Sequence, residues 1–166
     1  MKKIISLALA ALLMVSVSAC GGGPKGGQDK QVDLAAFART LQETHEFPML
    51  ERADPADELG ANMLDNFYPG LTGMDLEQTE VYLAAISFSG GELALVQAKN
   101  ADDAAKVKEI FDARVAAKTT EGPGNYPEEI ELWQHNSAVV SRGNYLMLVN
   151  HEDSEAIVSE FNALFE

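Results

Sequence analysis

One arrangement of strand, glycine turn, strand and capped helix occurs twice in this chain. In the first copy, residues 80–88 and 92–98 are two strand-like runs around a Ser-Gly-Gly turn, and residues 100–103 begin a helix that continues to about Lys118. In the second copy, residues 138–141 and 145–149 flank an Arg-Gly-Asn turn, and residues 150–153 begin the last helix. β-Branched and aromatic runs on either side of a glycine turn are typical of hairpins. The sequence therefore predicts two ββα units.

Two such units predict an α+β domain over residues 32–166. We expect a mainly antiparallel four-stranded sheet with the helices packed mostly on one face. Two N-terminal helices should precede it, one near 33–45 with Asp33 as its N-cap and one over 56–67. A short helix from Pro127 to about Gln134 should connect the two units, because proline is favoured in the first turn of a helix.

The first 20 residues have the pattern of a bacterial lipoprotein signal peptide. Lys2 and Lys3 precede an apolar run over 4–15, and small residues lead to Cys20. This pattern predicts a signal peptide over 1–19, cleavage between Ala19 and Cys20, and acylation of Cys20 with diacylglycerol and palmitate-like chains. Residues 20–31 then form the lipidated cysteine and a flexible glycine-rich linker. We expect the domain on the extracytoplasmic face of the cell membrane, held by lipid.

Cysteine content and charge narrow the function classes. Cys20 is the only cysteine, so its acylation excludes disulfides, thiol catalysis and cysteine-ligated metal sites. The formal net charge is −14, and cleavage of the signal peptide would make the remaining chain more negative, because it removes Lys2 and Lys3. Nucleic acid is therefore not an expected partner, because binding to phosphates needs basic clusters. The negative charge indicates a domain that stays soluble at an anionic surface. The alternative interpretation is that it binds a cationic partner or, weakly, divalent ions.

The motifs of catalysis are missing from the sequence. The spacing of His45, His135 and His151 fits no zinc signature, and no nucleophile elbow occurs. We therefore predict no catalytic residues, no metal site and no cofactor. Acidic groups at 102–103 and 152–155 are explained by helix starts, although paired carboxylates could also serve glycoside hydrolysis. Tyr126 and Trp133 are the candidate binding residues, and Trp133 is alternatively a plug that holds a short helix on the sheet.

The chain also resembles a known family. The segments that carry the likeness are the lipoprotein signal, the glycine-rich linker, Leu93-Ala94-Leu95-Val96 before the Ala101 helix, Tyr126-Pro127-Glu128, Trp133, and residues 136–140 and 143–149. They are similar to an uncharacterised lipoprotein family of gut-dwelling Gram-positive bacteria, described as domain of unknown function 4358. The resemblance covers nearly all of 32–166. It implies a location and a shared domain, but no reaction and no site residues.

These observations favour a non-enzymatic binding or accessory module at the cell envelope. Its partners would be the membrane, through lipid on Cys20, and an envelope protein or a small ligand. The alternative is a surface hydrolase that uses paired carboxylates on glycan or peptidoglycan, which requires two acids that converge in a cleft. A transporter's solute-binding lipoprotein is disfavoured, because such proteins are longer and have two lobes.

Overall fold

The computed structural model describes residues 31–85, 91–122 and 125–166. The described helices and strands follow one another in this order: α1 (Leu34–Thr44), β1 (Leu50–Arg52), α2 (Glu58–Phe67), β2 (Leu76–Ala84), β3 (Glu92–Ala98), α3 (Ala101–Thr119), α4 (Pro127–Asn136), β4 (Ser137–Arg142), β5 (Tyr145–Asn150) and α5 (Ser154–Ala163). The predicted signal peptide, Cys20, the linker up to residue 30 and most of the first hairpin turn lie outside the described residues.

A single antiparallel sheet organises the domain, with strand order β1-β2-β3-β5-β4. The two predicted hairpins, β2-β3 and β4-β5, meet through β3 and β5, where Glu92 is opposite Asn150 and Gln97 is opposite Tyr145. The α+β class is confirmed. Strand β2 begins earlier than predicted, at Leu76, because polar residues interrupt the apolar pattern in its first half.

The predicted count of four strands is wrong, since β1 adds a fifth at the edge beside β2. This strand also separates α1 from α2, so the N-terminal region is not simply a pair of helices. Its three residues, Leu50-Glu51-Arg52, are too few to show an alternating pattern, and two of them are charged. Only pairing with residues 82–84 makes this segment a strand.

The prediction that the helices lie mostly on one face is also wrong, because both faces are covered. Ala94 and Val96 of β3 pack in one core with α2, α3 and α4, whereas Leu93 and Leu95 pack in a second core with α1 and α5. Successive side chains of a strand point to opposite faces. The unbroken apolar run of β3, like that of β5, therefore requires cover on both sides.

Polar caps fix where several helices begin. The Asp33 side chain accepts a hydrogen bond from the backbone N–H of Ala36, and the Asn100 side chain accepts one from Asp103, both at 2.9 Å. These bonds satisfy donors in the first turn of α1 and α3. The N-cap predicted at Asp33 is confirmed, and so is the helix start predicted at residues 100–103. Asp153, at the N-cap position of α5, makes no such bond with its side chain.

Candidate functional site

An open pocket of about 320 Å³ lies at the edge of the sheet where β3 begins and β5 ends. We call it the Asn150 pocket. It is bordered by the segment after α1, the start of β3, helix α4 and the residues after β5, with these lining residues: Glu46, Phe47, Pro48, Gly91, Leu132, Asn136, Asn150, His151 and Glu152. The pocket thus combines aromatic and aliphatic surface with amide, imidazole and carboxylate groups, a mixture that is common in ligand sites.

Gly91 shapes one wall of the Asn150 pocket. Its φ of 87° lies in the left-handed region, and an added Cβ would come within 2.4 Å of the Pro48 ring. Both conditions require glycine. The absence of a side chain at residue 91 is therefore what allows the segment after α1 to close over this end of the sheet.

Asn150, the last residue of β5, is a buried polar group with an unused donor. The residue is 1% exposed, and its Nδ2 has no hydrogen-bond partner among the described residues. A buried donor without a partner costs about 1–3 kcal/mol relative to a satisfied one. Asn150 is one of the residues that line the pocket, so a rotation of its side chain would turn this amide toward an acceptor oxygen of a bound molecule.

His151 is buried next to Asn150 and is held in one orientation. Its backbone N–H donates to the carbonyl of Asn136 at 3.1 Å, and its Nδ1 accepts from the backbone N–H of Asp153 at 3.0 Å. In a neutral ring with Nδ1 as acceptor, Nε2 carries the proton. The Phe47 ring packs against the imidazole with 4.3 Å between ring centroids.

His45, at the C-terminal end of α1, forms a second imidazole beside the first. The two rings lie 5.9 Å apart between centroids. His45 Nδ1 lies 3.0 Å from Asp153 Oδ2, and its Nε2 lies 3.0 Å from Glu160 Oε1. Burial lowers the pKa of His45, but the hydrogen bonds to the two carboxylates outweigh that effect and the net shift is upward. A ring that donates from both nitrogens is an imidazolium, so this group ties α1 to α5 as an ion pair.

A buried ion pair lies on the α3 face of the same sheet edge. Arg114 of α3 donates to both oxygens of Glu92, at 2.9 and 2.7 Å, and the Tyr68 hydroxyl donates to the same carboxylate. Burial raises the pKa of Tyr68 well above its usual value, and the negative charge of Glu92 raises it further. The phenol therefore stays protonated and remains a donor.

A second ion pair and a small cavity adjoin the first. Lys118 lies 2.5 Å from Glu129, which is 3% exposed. The cavity, about 80 Å³, is lined by both pairs and by Trp133. The Arg114 guanidinium lies 5.3 Å from the centroid of the Trp133 ring and 4.7 Å from that of Phe67, within the range of cation–π attraction. With every buried charge paired, this cluster can stabilise the fold but offers no free acid or base.

The two aromatic residues that the sequence singled out have different environments. Trp133 is 2% exposed and packs in the core, which is the position expected of a plug between α4 and the sheet. Tyr126 is 61% exposed at the N-cap of α4 and lines neither the Asn150 pocket nor the small cavity. The predicted lipidation and cleavage residues, Cys20 and Ala19, lie outside the described part of the chain.

Comparison with protein families gives a match over most of the domain. The family described as "Domain of unknown function (DUF4358)" matches residues 52–151. The chain belongs to this family. A comparison with curated proteins finds no significant match, and a comparison with solved structures finds none either.

The DUF4358 match extends from the end of β1 to His151. It includes Asn150 and the buried pair of Glu92 and Arg114, whereas His45 and Asp153 lie outside the matched range. Helices α1 and α5, which cover one face of the sheet, lie outside the matched range. Among the described residues, none of the helices is long and apolar enough to cross a membrane.

Sequence reasoning did not identify the residues that form the Asn150 pocket. The sequence places Asn150 only among the residues that begin the last helix, and His151 is one of three histidines without a metal-binding spacing. The one local indication of a buried polar group is that Asn150 directly follows the apolar run 146–149. A residue next to a strand that is buried on both faces tends to be buried as well. The meeting of His45 with His151 had no sign in the sequence, since 105 residues separate them.

Proposed function

We propose that this DUF4358 protein is a lipid-anchored, extracytoplasmic lipoprotein of the Gram-positive type, and that its domain is a non-enzymatic binding or accessory module at the cell envelope. The observation that carries the binding role is the Asn150 pocket, with a buried amide donor that lacks a partner. A ligand oxygen that accepts from Asn150 Nδ2 would recover the free energy that this unsatisfied donor costs. The lipid anchor rests on the signal pattern that ends at Cys20.

The position of the pocket in the domain supports an accessory role. The N-terminal segment enters at the opposite end of the sheet, where the backbone N–H of Val32 donates to the Tyr145 hydroxyl and its carbonyl accepts from Gln78. Tyr145 begins β5 and Asn150 ends it. Strand β5 rises roughly 17 Å over this distance at about 3.4 Å per residue. The point where a tether at residue 31 joins the domain and the Asn150 pocket therefore lie at opposite ends of strand β5.

The pocket also favours a ligand of particular chemistry. The buried Asn150 amide and His151 imidazole supply donor groups beside the pocket, while Glu46 and Glu152 are exposed carboxylates at its border. Phe47 and Pro48 add an apolar wall. We therefore favour a ligand that combines an acceptor oxygen with a nearby positive charge, as a basic peptide segment does. The acidic net charge of the chain would assist its approach.

The alternative function, a surface hydrolase, has less support. A glycosidase needs a carboxylic acid whose proton is retained until it is transferred to the leaving group, and ion pairing with a cation favours the opposite, ionised state. The buried carboxylates among the described residues are all paired with cationic side chains, namely Glu80 with Arg52, Glu92 with Arg114 and Glu129 with Lys118. If the purified protein hydrolysed cell-wall glycan, that result would support the hydrolase function and overturn the binding proposal.

The binding role is tested by crosslinking and capture of the lipidated protein from its own cells. Leu132→Arg places charge and bulk at the border of the pocket, and Leu59→Arg is the matched control, because Leu59 is an exposed leucine on α2 that does not line the pocket. We expect a partner recovered with wild type and Leu59→Arg but lost with Leu132→Arg. Equal recovery in all three would refute the pocket as the binding site.

The anchor is tested separately by fractionation. We expect the wild-type protein in the membrane fraction and the detergent phase, and the Cys20→Ala variant in neither. A Cys20→Ala chain that remains in the membrane fraction would contradict lipidation at Cys20 and would leave the binding proposal for the pocket unaffected.

A further inference from the structure

Two histidines and an aspartate from three different parts of the chain converge beside the Asn150 pocket. His45 ends α1, His151 follows β5, and Asp153 precedes α5. Each residue offers one ligand atom, and these three atoms lie within 4.8 Å of one another. His45 Nδ1 and Asp153 Oδ2 are 3.0 Å apart. We propose that His45, His151 and Asp153 form a binding site for a divalent transition-metal ion, with Zn²⁺ as the best match.

The donor set and its dimensions suit zinc. Imidazole nitrogen and carboxylate oxygen bind Zn²⁺ at about 2.0–2.2 Å, which places the ligand atoms of a tetrahedral site roughly 3.3 Å apart. His45 Nδ1 and Asp153 Oδ2 are 3.0 Å apart and no pair of the three atoms is more than 4.8 Å apart, so small side-chain rotations would complete the site. Two imidazoles also distinguish the site from a calcium or magnesium site, because those ions prefer oxygen ligands alone.

Glu160 supplies an outer partner of the kind that zinc histidines use. Histidine ligands commonly donate their second ring N–H to a carboxylate, which fixes the ring and strengthens its lone pair. His45 Nε2 lies 3.0 Å from Glu160 Oε1, so Nδ1 is the nitrogen left for the metal. His45 is also 9% exposed on its side chain, whereas Glu160 reaches solvent. Glu160 therefore fixes the orientation of the His45 ring from the side opposite Nδ1.

Asp153 is already turned toward the histidines. It occupies the N-cap position of α5, where an aspartate normally accepts from the first turn of its helix. Its side chain makes no cap bond and instead faces His45 Nδ1. The carboxylate is thus available as a ligand without the loss of a helix cap.

Binding replaces two contacts of the present arrangement. The ion takes the lone pair of His45 Nδ1, and the proton on that nitrogen passes to solvent. At His151 the unprotonated nitrogen is Nδ1, which now accepts from the backbone N–H of Asp153 at 3.0 Å, and the ion takes this lone pair as well. Three protein ligands leave a fourth position for water or another ligand, as in open zinc sites. His151 also lines the Asn150 pocket.

The test is calorimetric titration of the full chain with Zn²⁺ in the presence of excess Mg²⁺, which masks binding to exposed acids. The chain carries Cys20→Ala, so that no thiol contributes. We expect one Zn²⁺ per chain. His45→Gln, His151→Gln and Asp153→Asn should each weaken binding by more than about 100-fold, and Glu160→Gln by about 10–100-fold, the usual effect of an outer partner.

The matched controls are His135→Gln and Asp102→Asn, which replace an exposed histidine on α4 and an exposed acid in the first turn of α3. Both should bind Zn²⁺ as the parent does. Binding that survives in the three ligand variants, falls equally in the controls, or disappears when Mg²⁺ is added would overturn the proposal.

Folding of the variants is checked by far-UV circular dichroism and thermal unfolding with chelator present. Asp153→Asn keeps the size of the side chain, so it provides a folded variant even if a histidine substitution disturbs packing. A folded Asp153→Asn chain with unchanged zinc affinity would overturn the site by itself. Although His151 belongs to both sites, the two proposals are tested separately, because the capture experiment changes Leu132 and no metal ligand.

Discussion

The buried pair of Arg114 and Glu92 offers the sharpest test of what stabilises this fold. Both side chains are at most 10% exposed, the guanidinium donates to both carboxylate oxygens, and the Tyr68 hydroxyl donates to the same carboxylate. Arg114→Met removes the cation and leaves Glu92 buried with one remaining donor. Removal of one partner from a buried ion pair typically costs about 3–5 kcal/mol of unfolding free energy. That is a large share of the roughly 5–15 kcal/mol available to a domain.

The double variant Arg114→Met/Glu92→Met separates the charge from the packing. It removes both charges, so the main remaining loss is the hydrogen bond of the Tyr68 hydroxyl. A buried hydroxyl without a partner costs about 1–3 kcal/mol of unfolding free energy. We therefore expect the double variant to be more stable than Arg114→Met alone by about 2 kcal/mol, although it carries more substitutions. This reversal is the signature of an uncompensated buried charge.

The assay is urea unfolding followed by the fluorescence of Trp133, the only tryptophan of the chain, and by circular dichroism. Lys108→Met is the control, because Lys108 forms an exposed pair with Asp112 one helical turn away and should contribute under about 0.5 kcal/mol. A cost below about 1 kcal/mol for Arg114→Met, or a double variant less stable than Arg114→Met, would refute the reasoning.

Three further predictions concern other parts of the domain. Gly60→Ala should destabilise by more than about 1 kcal/mol in urea unfolding, because the new Cβ would lie 2.2 Å from backbone oxygen, whereas Gly122→Ala meets nothing within 4 Å and should be nearly neutral. Trp133→Ala should cost about 3–5 kcal/mol in urea unfolding followed by circular dichroism alone, and Tyr126→Ala under about 0.5, because only the first side chain is buried. Burial, with a hydrogen bond to a carboxylate, raises the pKa of Tyr82 from 10.0 to about 12. The contribution of the protonated Tyr82 hydroxyl to stability is therefore complete below pH 10 and is lost as the pH rises through 12. In a series of unfolding curves at different pH, Tyr82→Phe should reduce this loss of stability at alkaline pH.

Much of the fold was predictable because its signals are local. Glycine turns, apolar runs and the caps at Asp33 and Asn100 depend on residues that are neighbours in the sequence, and they placed β3 and the start of α3 within a residue. Strand β1 was missed because three residues contain no periodicity. The run Leu93-Ala94-Leu95-Val96 has no polar alternation and so indicates a strand covered on both faces, whereas the ββα pattern favours a layer of helices on one face, which is the wrong expectation here.

The candidate site was far less predictable, because its parts come from distant segments. His45, Asn150 and His151 gave no motif, and the Asn150 pocket depends on the way Pro48 packs on Gly91 at the edge of the sheet. Trp133 stood out in the sequence because tryptophan is frequent in binding sites, yet the same large apolar surface also makes it a core residue. Composition could not distinguish these roles, since only burial separates them.

The sequence by itself determined the α+β class, the two hairpins and the helix starts, because propensity, periodicity and capping act over a few residues. It also determined the excess of acidic charge. The tertiary structure decided which strands are neighbours, which face each helix covers and which polar groups are buried. Those outcomes depend on how the whole apolar surface is shared between two cores, and the approach of His45 to His151 and Asp153 exists only after α1 and α5 have packed on the same face of the sheet.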